Sequence, residues 1–256
     1  MTPRSRRLDE ALVAAGLFDS TSAATRAVMA GQVLLNGHSA TKPGTPVRDK
    51  DTFGLAPKEK YVGRGGHKIE AALDAFSIDP VGKTCLDVGA STGGFTDCLL
   101  QRGAAFVHAV DVGKGQLDWR LRQDPRVQSL EGINARYLEP ADFQPPPRIA
   151  VGDVSFISLT AILPAVFRVV APGSDLVFLI KPQFEAPREK VERGGIVRDE
   201  AARLESVEKI HAFVVAAGQE WLGHIVSPIT GRDGNIEYLF HCRTRRLDTS
   251  GETADP

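Results

Sequence analysis

Hydrophobic residues near the start of the chain first recur at helical spacing and then alternate with polar ones. RLDEALVAAGL predicts one helix, and the segment from about Ser22 to Ala30 predicts a second. The next stretch, QVLLNGHSA, alternates and turns at Asn36-Gly37, a dipeptide typical of β-hairpins. Together these elements predict a small α+β unit over residues 1–55.

A different pattern begins after a Gly- and Lys-rich stretch at 56–67, which is predicted to be a linker. Strand-like runs (TCLDVGA, AFVHAVDVG, VQSLEG, RIAVGDVSF, SDLVFLIKPQ) alternate with helical segments such as GFTDCLLQRG and GQLDWRLRQD. This order predicts a doubly wound, Rossmann-like α/β sheet over residues 68–245. Only the last two runs, WLGHIVSPI and IEYLFHCR, are placed to form an antiparallel hairpin. A polar tail follows at 246–256.

Composition narrows the class of protein. The 256 residues are 42% hydrophobic with a net charge of −1, which argues against a protein whose whole surface binds nucleic acid. The charge is uneven, since residues 1–60 contain nine basic and six acidic side chains. Cys85, Cys98 and Cys242 lack metal-ligand spacing, so we expect reduced cysteines and no metal site. We see no signal peptide or membrane span and expect a cytoplasmic protein.

The stretch LDVGASTGGF is the strongest local signal for a ligand. A glycine-rich turn between a strand and a helix lies at the carboxyl edge of a parallel sheet, where cofactors bind. Asp111 ends the next strand and is placed to accept hydrogen bonds from a ribose. Asp87, just before the turn, would repel a pyrophosphate and favours a cationic methyl donor. A dinucleotide and a purely structural turn remain alternatives.

Motifs along nearly the whole chain, taken together, resemble one protein family. They are RLDEALVAAG, AGQVLLNGHSATKPG, RGGHK, LDVGASTGGFTDCLL, AVDVGKGQL, GDVSFISL, LIKPQFE and SPITGRDGNIEY. The chain resembles the TlyA proteins, in which an S4-type RNA-binding domain precedes an FtsJ/RrmJ-like class I methyltransferase domain. The resemblance implies S-adenosylmethionine-dependent methylation of a ribose 2′-hydroxyl, typically of cytidine, in 16S or 23S ribosomal RNA or both.

The resemblance also assigns site residues. The family's Lys-Asp-Lys-Glu tetrad matches Lys68, Asp153, Lys181 and Glu237. A lysine removes a proton only when it is neutral, a state favoured by burial and a second nearby cation. We therefore predict Lys181 as the base, with Lys68 beside it as that cation, and Asp153 as its positioner. Lys68 and Glu237 are expected to hold the ribose and phosphate.

The predicted cofactor residues lie just before and on the glycine-rich loop, and at or just after the ends of the next two strands in the chain. Asn134 is expected at the adenine and Asp111 at the cofactor ribose. The commonest methyltransferase pattern, D-x-G-x-G, has a glycine where this chain has Ser91, which can still donate a hydrogen bond and which the family tolerates. The predicted set is Asp87, Gly89, Ser91, Gly93, Gly94, Asp111 and Asn134.

RNA contacts are predicted mainly in the first unit. The predicted residues are Arg6, Arg7, Arg26, Lys42 and, beyond that unit, Arg64. S4 units usually open their second helix with a Ser-Arg pair, whereas this chain has Ser20-Thr21-Ser22, so that phosphate contact is expected to be missing or replaced by Arg26. The partner is expected to be ribosomal RNA or ribosomal subunits.

Two other functions remain open at this point. The family has been labelled hemolysin, which would make the protein a membrane-active cytolysin. The chain shows no long apolar segment and no strongly cationic amphipathic helix to support that activity. A noncatalytic S4-type RNA-binding protein that only senses S-adenosylmethionine is the second alternative.

Overall fold

The computed structural model divides the chain into two compact units, Met1–Lys60 and Tyr61–Pro256. The residues that the structure describes are 6–56, 59–231 and 234–245. The predicted polar tail at 246–256 lies outside the described residues. The unit boundary falls inside the segment predicted to be a linker.

The first unit is a small α+β fold. Its elements are β1 (Arg6–Arg7), α1 (Leu8–Ala14), α2 (Thr21–Met29), β2 (Val33–Leu35), β3 (His38–Ala40), β4 (Pro46–Val47) and β5 (Phe53–Leu55). The Ser20 side chain caps α2 by accepting a hydrogen bond from the Ala23 amide. Both predicted helices and the predicted hairpin are confirmed, and β2 pairs with β3 and β5. The core of the first unit is formed by Leu8, Leu12 and Val28 together with the inner face of the sheet.

The second unit is built on a seven-stranded sheet. Its strands are β6 (Thr84–Val88), β7 (Phe106–Asp111), β8 (Val127–Glu131), β9 (Ile149–Gly152), β10 (Asp175–Ile180), β11 (Glu220–Val226) and β12 (Tyr238–Arg243). Their order across the sheet is β11-β12-β10-β9-β6-β7-β8. β12 is antiparallel to both of its neighbours, while β10, β9, β6, β7 and β8 are parallel. The predicted doubly wound sheet with a C-terminal hairpin is confirmed.

Helices cover both faces of this sheet. They are α3 (Gly65–Ala75), α4 (Gly94–Gln101), α5 (Trp119–Gln123), α6 (Leu163–Val169), α7 (Pro182–Glu185) and α8 (Glu200–Ala216). Side chains of β10 alternate between the faces: Phe178 packs with residues of α6 and α8, and Val177 with those of α3 and α4. Burial on both sides explains the unbroken apolar run of this strand.

Two helices differ from their predicted bounds. α5 is shorter than GQLDWRLRQD because the amides of Gly115, Gln116 and Leu117 donate to the Glu131 carboxylate instead of continuing a helix. α3 begins at Gly65, inside the segment predicted to be a linker, because Gly66 lets the helix pack directly on the buried Tyr61 ring.

The described residues contain no helix that is both long and apolar enough to cross a membrane.

Candidate active site

The loop between β6 and α4 depends on glycine at the point where it meets β9. β6 and β9 pair in parallel with Val88 opposite Gly152, so the two strands end side by side. Gly89 has a φ of +81°, and a Cβ there would lie 2.7 Å from the main-chain oxygen of Asp153. Any side chain at this position would therefore push the loop away from Asp153.

Asp87 lies beneath the loop rather than on the wall of a cavity. It is completely buried, and its Oδ2 accepts hydrogen bonds from the amide (2.9 Å) and hydroxyl (2.7 Å) of Thr96 in α4. Burial raises the pKa of Asp87 to about 7, although the Thr96 hydrogen bonds favour the charged form. Asp87 was predicted to contact the cofactor. In the structure its Oδ2 fixes α4 to the end of β6, while its buried Oδ1 has no hydrogen-bond partner among the described residues, and its contact with a cofactor stays a prediction.

The raised pKa of Asp87 predicts a specific pH dependence of stability. Between about pH 4 and pH 7 the folded state binds more protons than the unfolded state, so the free energy of unfolding falls as pH rises. The largest slope from one group is about 1.4 kcal/mol per pH unit. Asp87→Asn removes this titration, and urea unfolding between pH 4.5 and 8 should show wild type losing stability relative to the variant. Parallel curves would contradict the prediction.

Two adjoining cavities lie at the carboxyl edge of the sheet, with volumes of about 560 and 390 Å³. We call them the first and second cavity. The tetrad residues line the first cavity, whereas Asp111 and Asn134 line the second. The walls of both cavities share Gly89, Ser91, Asp153, Ser155 and Phe156.

The predicted cofactor residues separate into two groups. Gly89, Ser91, Gly94, Asp111 and Asn134 line one or both cavities. Gly93 lines neither cavity, because it is packed against Leu117 and Leu121. A Cβ at Gly93 would overlap these two side chains, and its φ of +97° is left-handed.

Asp111 holds the mouth of the second cavity in shape. Its Oδ2 accepts a hydrogen bond from the Ser91 amide at 2.8 Å, and its Oδ1 accepts one from the Gly113 amide at 2.7 Å. A carboxylate has about four lone-pair sites, so acceptor capacity remains for a ligand. Val112, 72% exposed, and Ile133, 40% exposed, add two solvent-facing apolar side chains to the same cavity.

The tetrad forms a chain of alternating charges. Lys68 Nζ lies 2.6 Å from Glu237 Oε2 and 3.7 Å from Asp153 Oδ2. Lys181 Nζ lies 2.6 Å from Asp153 Oδ1. The four side chains come from α3, the end of β9, the end of β10 and the residue before β12. All four predicted catalytic residues are therefore brought together in the first cavity.

The arrangement differs from the expected placement of the two lysines. Asp153 lies between Lys68 and Lys181, so each lysine pairs with a carboxylate instead of facing the other cation. Lys68 and Glu237 are almost fully buried, and the ion pair between them is shorter than the one between Lys68 and Asp153. This pair lies on the side of Asp153 away from Lys181, and its role in holding the ribose and phosphate stays a prediction.

Several residues of the first cavity gave no usable signal in the sequence. Phe156 is 91% exposed and has a φ of +64°, a conformation that is a genuine outlier for a bulky residue. Its ring pairs with that of Phe184, with centroids 5.3 Å apart. Within GDVSFISL, a phenylalanine is indistinguishable from a core residue. Ser155, Gln183, Gly194 and Gly195 also line the cavity.

Two buried polar side chains support the cavity walls. Glu185 accepts hydrogen bonds from the Ser158 hydroxyl and Leu159 amide and pairs with Lys209, which anchors α7 just beyond Lys181. Asn235, 2% exposed, accepts from the Val197 amide and donates to the Gly195 carbonyl. Asn235 thereby ties the Gly194-Gly195 turn to the segment that carries Glu237.

The basic residues predicted to contact RNA differ in their availability. Arg7 is held by Asp9, with nitrogen–oxygen distances of 3.0 and 2.8 Å. Arg26 donates to the Ser22 hydroxyl at 2.7 Å. Arg6 and Lys42 are exposed in the first unit, and Arg64 lines the first cavity in the second unit.

Comparisons with known proteins identify the families to which the two units are similar. A family model described as FtsJ-like methyltransferase matches residues 61–244, and one described as S4 domain matches residues 6–53. A Bacillus subtilis relative, provisionally named rRNA methyltransferase YqxC, is 48% identical over 94% of this chain and 86% of its own length. A Mycobacterium tuberculosis protein named 16S/23S rRNA (cytidine-2′-O)-methyltransferase TlyA is 43% identical over 94% of this chain and 91% of its own.

A solved structure shows that the similarity extends to three dimensions. A protein from Streptococcus thermophilus, provisionally described as a hemolysin, is 45% identical and superimposes with a TM-score of 0.73. The alignment covers 96% of this chain and 90% of that one.

Proposed function

Because this chain belongs to the TlyA family, with an FtsJ-like methyltransferase domain and an S4 domain, we propose that it methylates a ribose 2′-hydroxyl in ribosomal RNA. The methyl donor is S-adenosylmethionine, and the target is a cytidine of 16S or 23S RNA or both. One observation carries the proposal. The Lys-Asp-Lys-Glu tetrad is assembled where a cavity suited to a nucleoside opens into a larger polar cavity.

The residues of the second cavity fit the adenosine part of S-adenosylmethionine. The Asp111 carboxylate can accept hydrogen bonds from the ribose hydroxyls. Val112 and Ile133 offer apolar side chains to the adenine ring, which explains why both face solvent. The loop at Gly89 and Ser91 connects this cavity to the first one, where the methionine part would lie. When bound, S-adenosylmethionine supplies a methyl group on a positively charged sulfur.

The tetrad can activate the ribose hydroxyl. Lys181 would accept the proton of the 2′-hydroxyl as its oxygen takes the methyl group that bound S-adenosylmethionine would supply. Asp153 holds the amine of Lys181 at 2.6 Å and so sets its direction. Lys68 and Glu237 hold Asp153 from the other side. The proton would then remain on Lys181.

Basic residues in both units would contact the RNA backbone. Arg6 and Lys42 in the first unit, and Arg64 at the first cavity, are exposed to solvent. Phosphate contacts of this kind provide affinity and orientation but no sequence information. The shape of folded ribosomal RNA would therefore supply much of the specificity. We place this activity in the cytoplasm, on ribosomal subunits.

Phe156 is suited to stack against the target base. Phe156→Ala should lower kcat/KM for RNA roughly 5- to 150-fold, equivalent to about 1–3 kcal/mol for one stacked base. Because the ring is 91% exposed, the free energy of unfolding should not fall. Steady-state methyl transfer and urea unfolding test both expectations. Trp119→Ala is a matched control, since Trp119 is 71% exposed but lines neither cavity. Equal losses in both variants would contradict a stacking role.

The proposed function is tested by transfer of isotopically labelled methyl groups to small and large ribosomal subunits, followed by mapping of the product. Label on a ribose 2′-oxygen with wild type, and none with Lys181→Ala, supports the proposal. A folded, cofactor-binding protein that labels neither subunit would refute it and favour the noncatalytic RNA-binding alternative. Lysis of erythrocytes by Lys181→Ala at the wild-type level would instead favour a cytolysin.

A further inference from the structure

Ser155 lies where the two cavities meet, two residues beyond Asp153, and its side chain contacts the proposed base. Lys181 Nζ donates a hydrogen bond to Ser155 Oγ at 2.8 Å. Ser155 is exposed and belongs to the walls of both cavities. The amine of Lys181 therefore has two oxygen partners, the carboxylate of Asp153 and the hydroxyl of Ser155.

Two partners determine the direction of the third position on a tetrahedral amine. One bond of the nitrogen goes to Cε of Lys181, which leaves three positions. Ser155 accepts one N–H and the ion pair with Asp153 restrains the amine on a second side, so the third position is fixed and, in the neutral amine, holds the lone pair. With the Asp153 ion pair alone, the lone pair could occupy either of the two remaining positions, and one of these is unproductive.

We propose that Ser155 is a positioning residue that aims the Lys181 lone pair at the ribose hydroxyl. This inference rests on the proposed function, in which Lys181 is the base. Charged groups around Lys181 cannot replace Ser155. The Asp153 oxygen nearest to Lys181 is already in contact with the Lys181 amine. Glu237 is paired with Lys68 on the opposite side of Asp153. The hydroxyl is the uncharged acceptor in this set, so it directs the amine without adding charge that would favour the ammonium form.

The test is single-turnover methyl transfer to whichever ribosomal subunit wild type modifies. Ser155→Ala should lower the chemical rate roughly 10- to 100-fold, the range expected when a reacting group is misaligned. Measured at saturating S-adenosylmethionine, the KM for RNA should stay close to wild type. Ser155→Thr keeps a hydroxyl and should restore most of the rate. Ser129→Ala, at an exposed serine on β8 away from both cavities, should behave as wild type.

A double-mutant cycle separates this role from a general structural one. If Ser155 acts through Lys181, adding Ser155→Ala to Lys181→Ala should cause no further loss of rate. Additive losses, a wild-type rate for Ser155→Ala, or failure of Ser155→Thr to restore the rate would each overturn the inference while leaving the proposed function intact. A wild-type protein that methylates neither subunit, or full activity of Lys181→Ala, would overturn the proposed function and this inference together.

Discussion

Lys181→Ala is expected to lower the rate of methyl transfer about 10²- to 10⁴-fold, the contribution typical of a positioned general base. The expectation follows from geometry. Lys181 Nζ faces the first cavity, is held by Asp153 at 2.6 Å, and has an 11% exposed side chain. The loss should be in kcat, because Lys181 does not line the second cavity, where we place adenosine. Binding of S-adenosylmethionine, measured by calorimetry, should remain within a few-fold of wild type.

Two further variants sharpen this test. Lys181→Arg should remain almost inactive, since a guanidinium keeps its charge and cannot accept the proton. Lys190→Ala removes a solvent-exposed lysine that pairs with Asp199 outside both cavities, and it should retain full activity. Substantial activity in Lys181→Arg would show that charge at this position suffices, and the base would have to be sought elsewhere in the tetrad.

Gly89→Ala should abolish cofactor binding and lower methyl transfer at least about 100-fold, because displacements near 1 Å at a reacting site have effects of this size. The added Cβ would lie 2.7 Å from the Asp153 carbonyl oxygen and 3.3 Å from a methyl carbon of Val154. Neither neighbour can yield without moving the end of β9, which carries Asp153. One methyl group would therefore disturb both the cofactor loop and the tetrad. Calorimetry with S-adenosylmethionine and the labelled transfer assay measure the two effects.

Gly82→Ala is the matched control for this steric effect. Gly82 also has a left-handed φ, +69°, and it precedes the opposite end of β6, where an added Cβ meets nothing within 4 Å. Both variants incur the left-handed cost of about 1–2 kcal/mol in stability. Only Gly89→Ala should lose activity. A similar loss in Gly82→Ala would mean that backbone strain, rather than contact with Asp153, is responsible.

The family resemblance identified all four tetrad residues, and the strand pattern independently supports the placement of two of them. Asp153 and Lys181 follow apolar runs, and parallel strands that share a direction place their carboxyl ends at one edge of the sheet. Lys68 could not be found in this way, because nothing in GGHKIEAALDA distinguishes a buried catalytic lysine from one on a helix surface. Only the family resemblance identified it. Its ion pair with Glu237 spans most of the chain and depends on tertiary packing.

Three other features could not be predicted from sequence patterns, and each has a physical reason. Asp87 carries the charge expected of a ligand contact, but its burial under the loop depends on how α4 packs over β6. The turn that exposes Phe156 depends on a left-handed backbone at a residue type that rarely adopts one. The separation of α5 from the preceding glycine-rich segment depends on Glu131, which is distant in sequence and adjacent only once β7 and β8 pair.

The alternation of charge in the tetrad has a consequence for ionic strength. The tetrad combines two basic and two acidic side chains, and each lies within 4 Å of a partner of the opposite type, much closer than the screening distance of about 8 Å in physiological salt. Added salt should therefore leave kcat nearly constant. Attraction of RNA to exposed basic side chains is screened by the same salt, so KM should rise steeply. A salt titration would thus separate capture of the substrate from the chemistry performed on it.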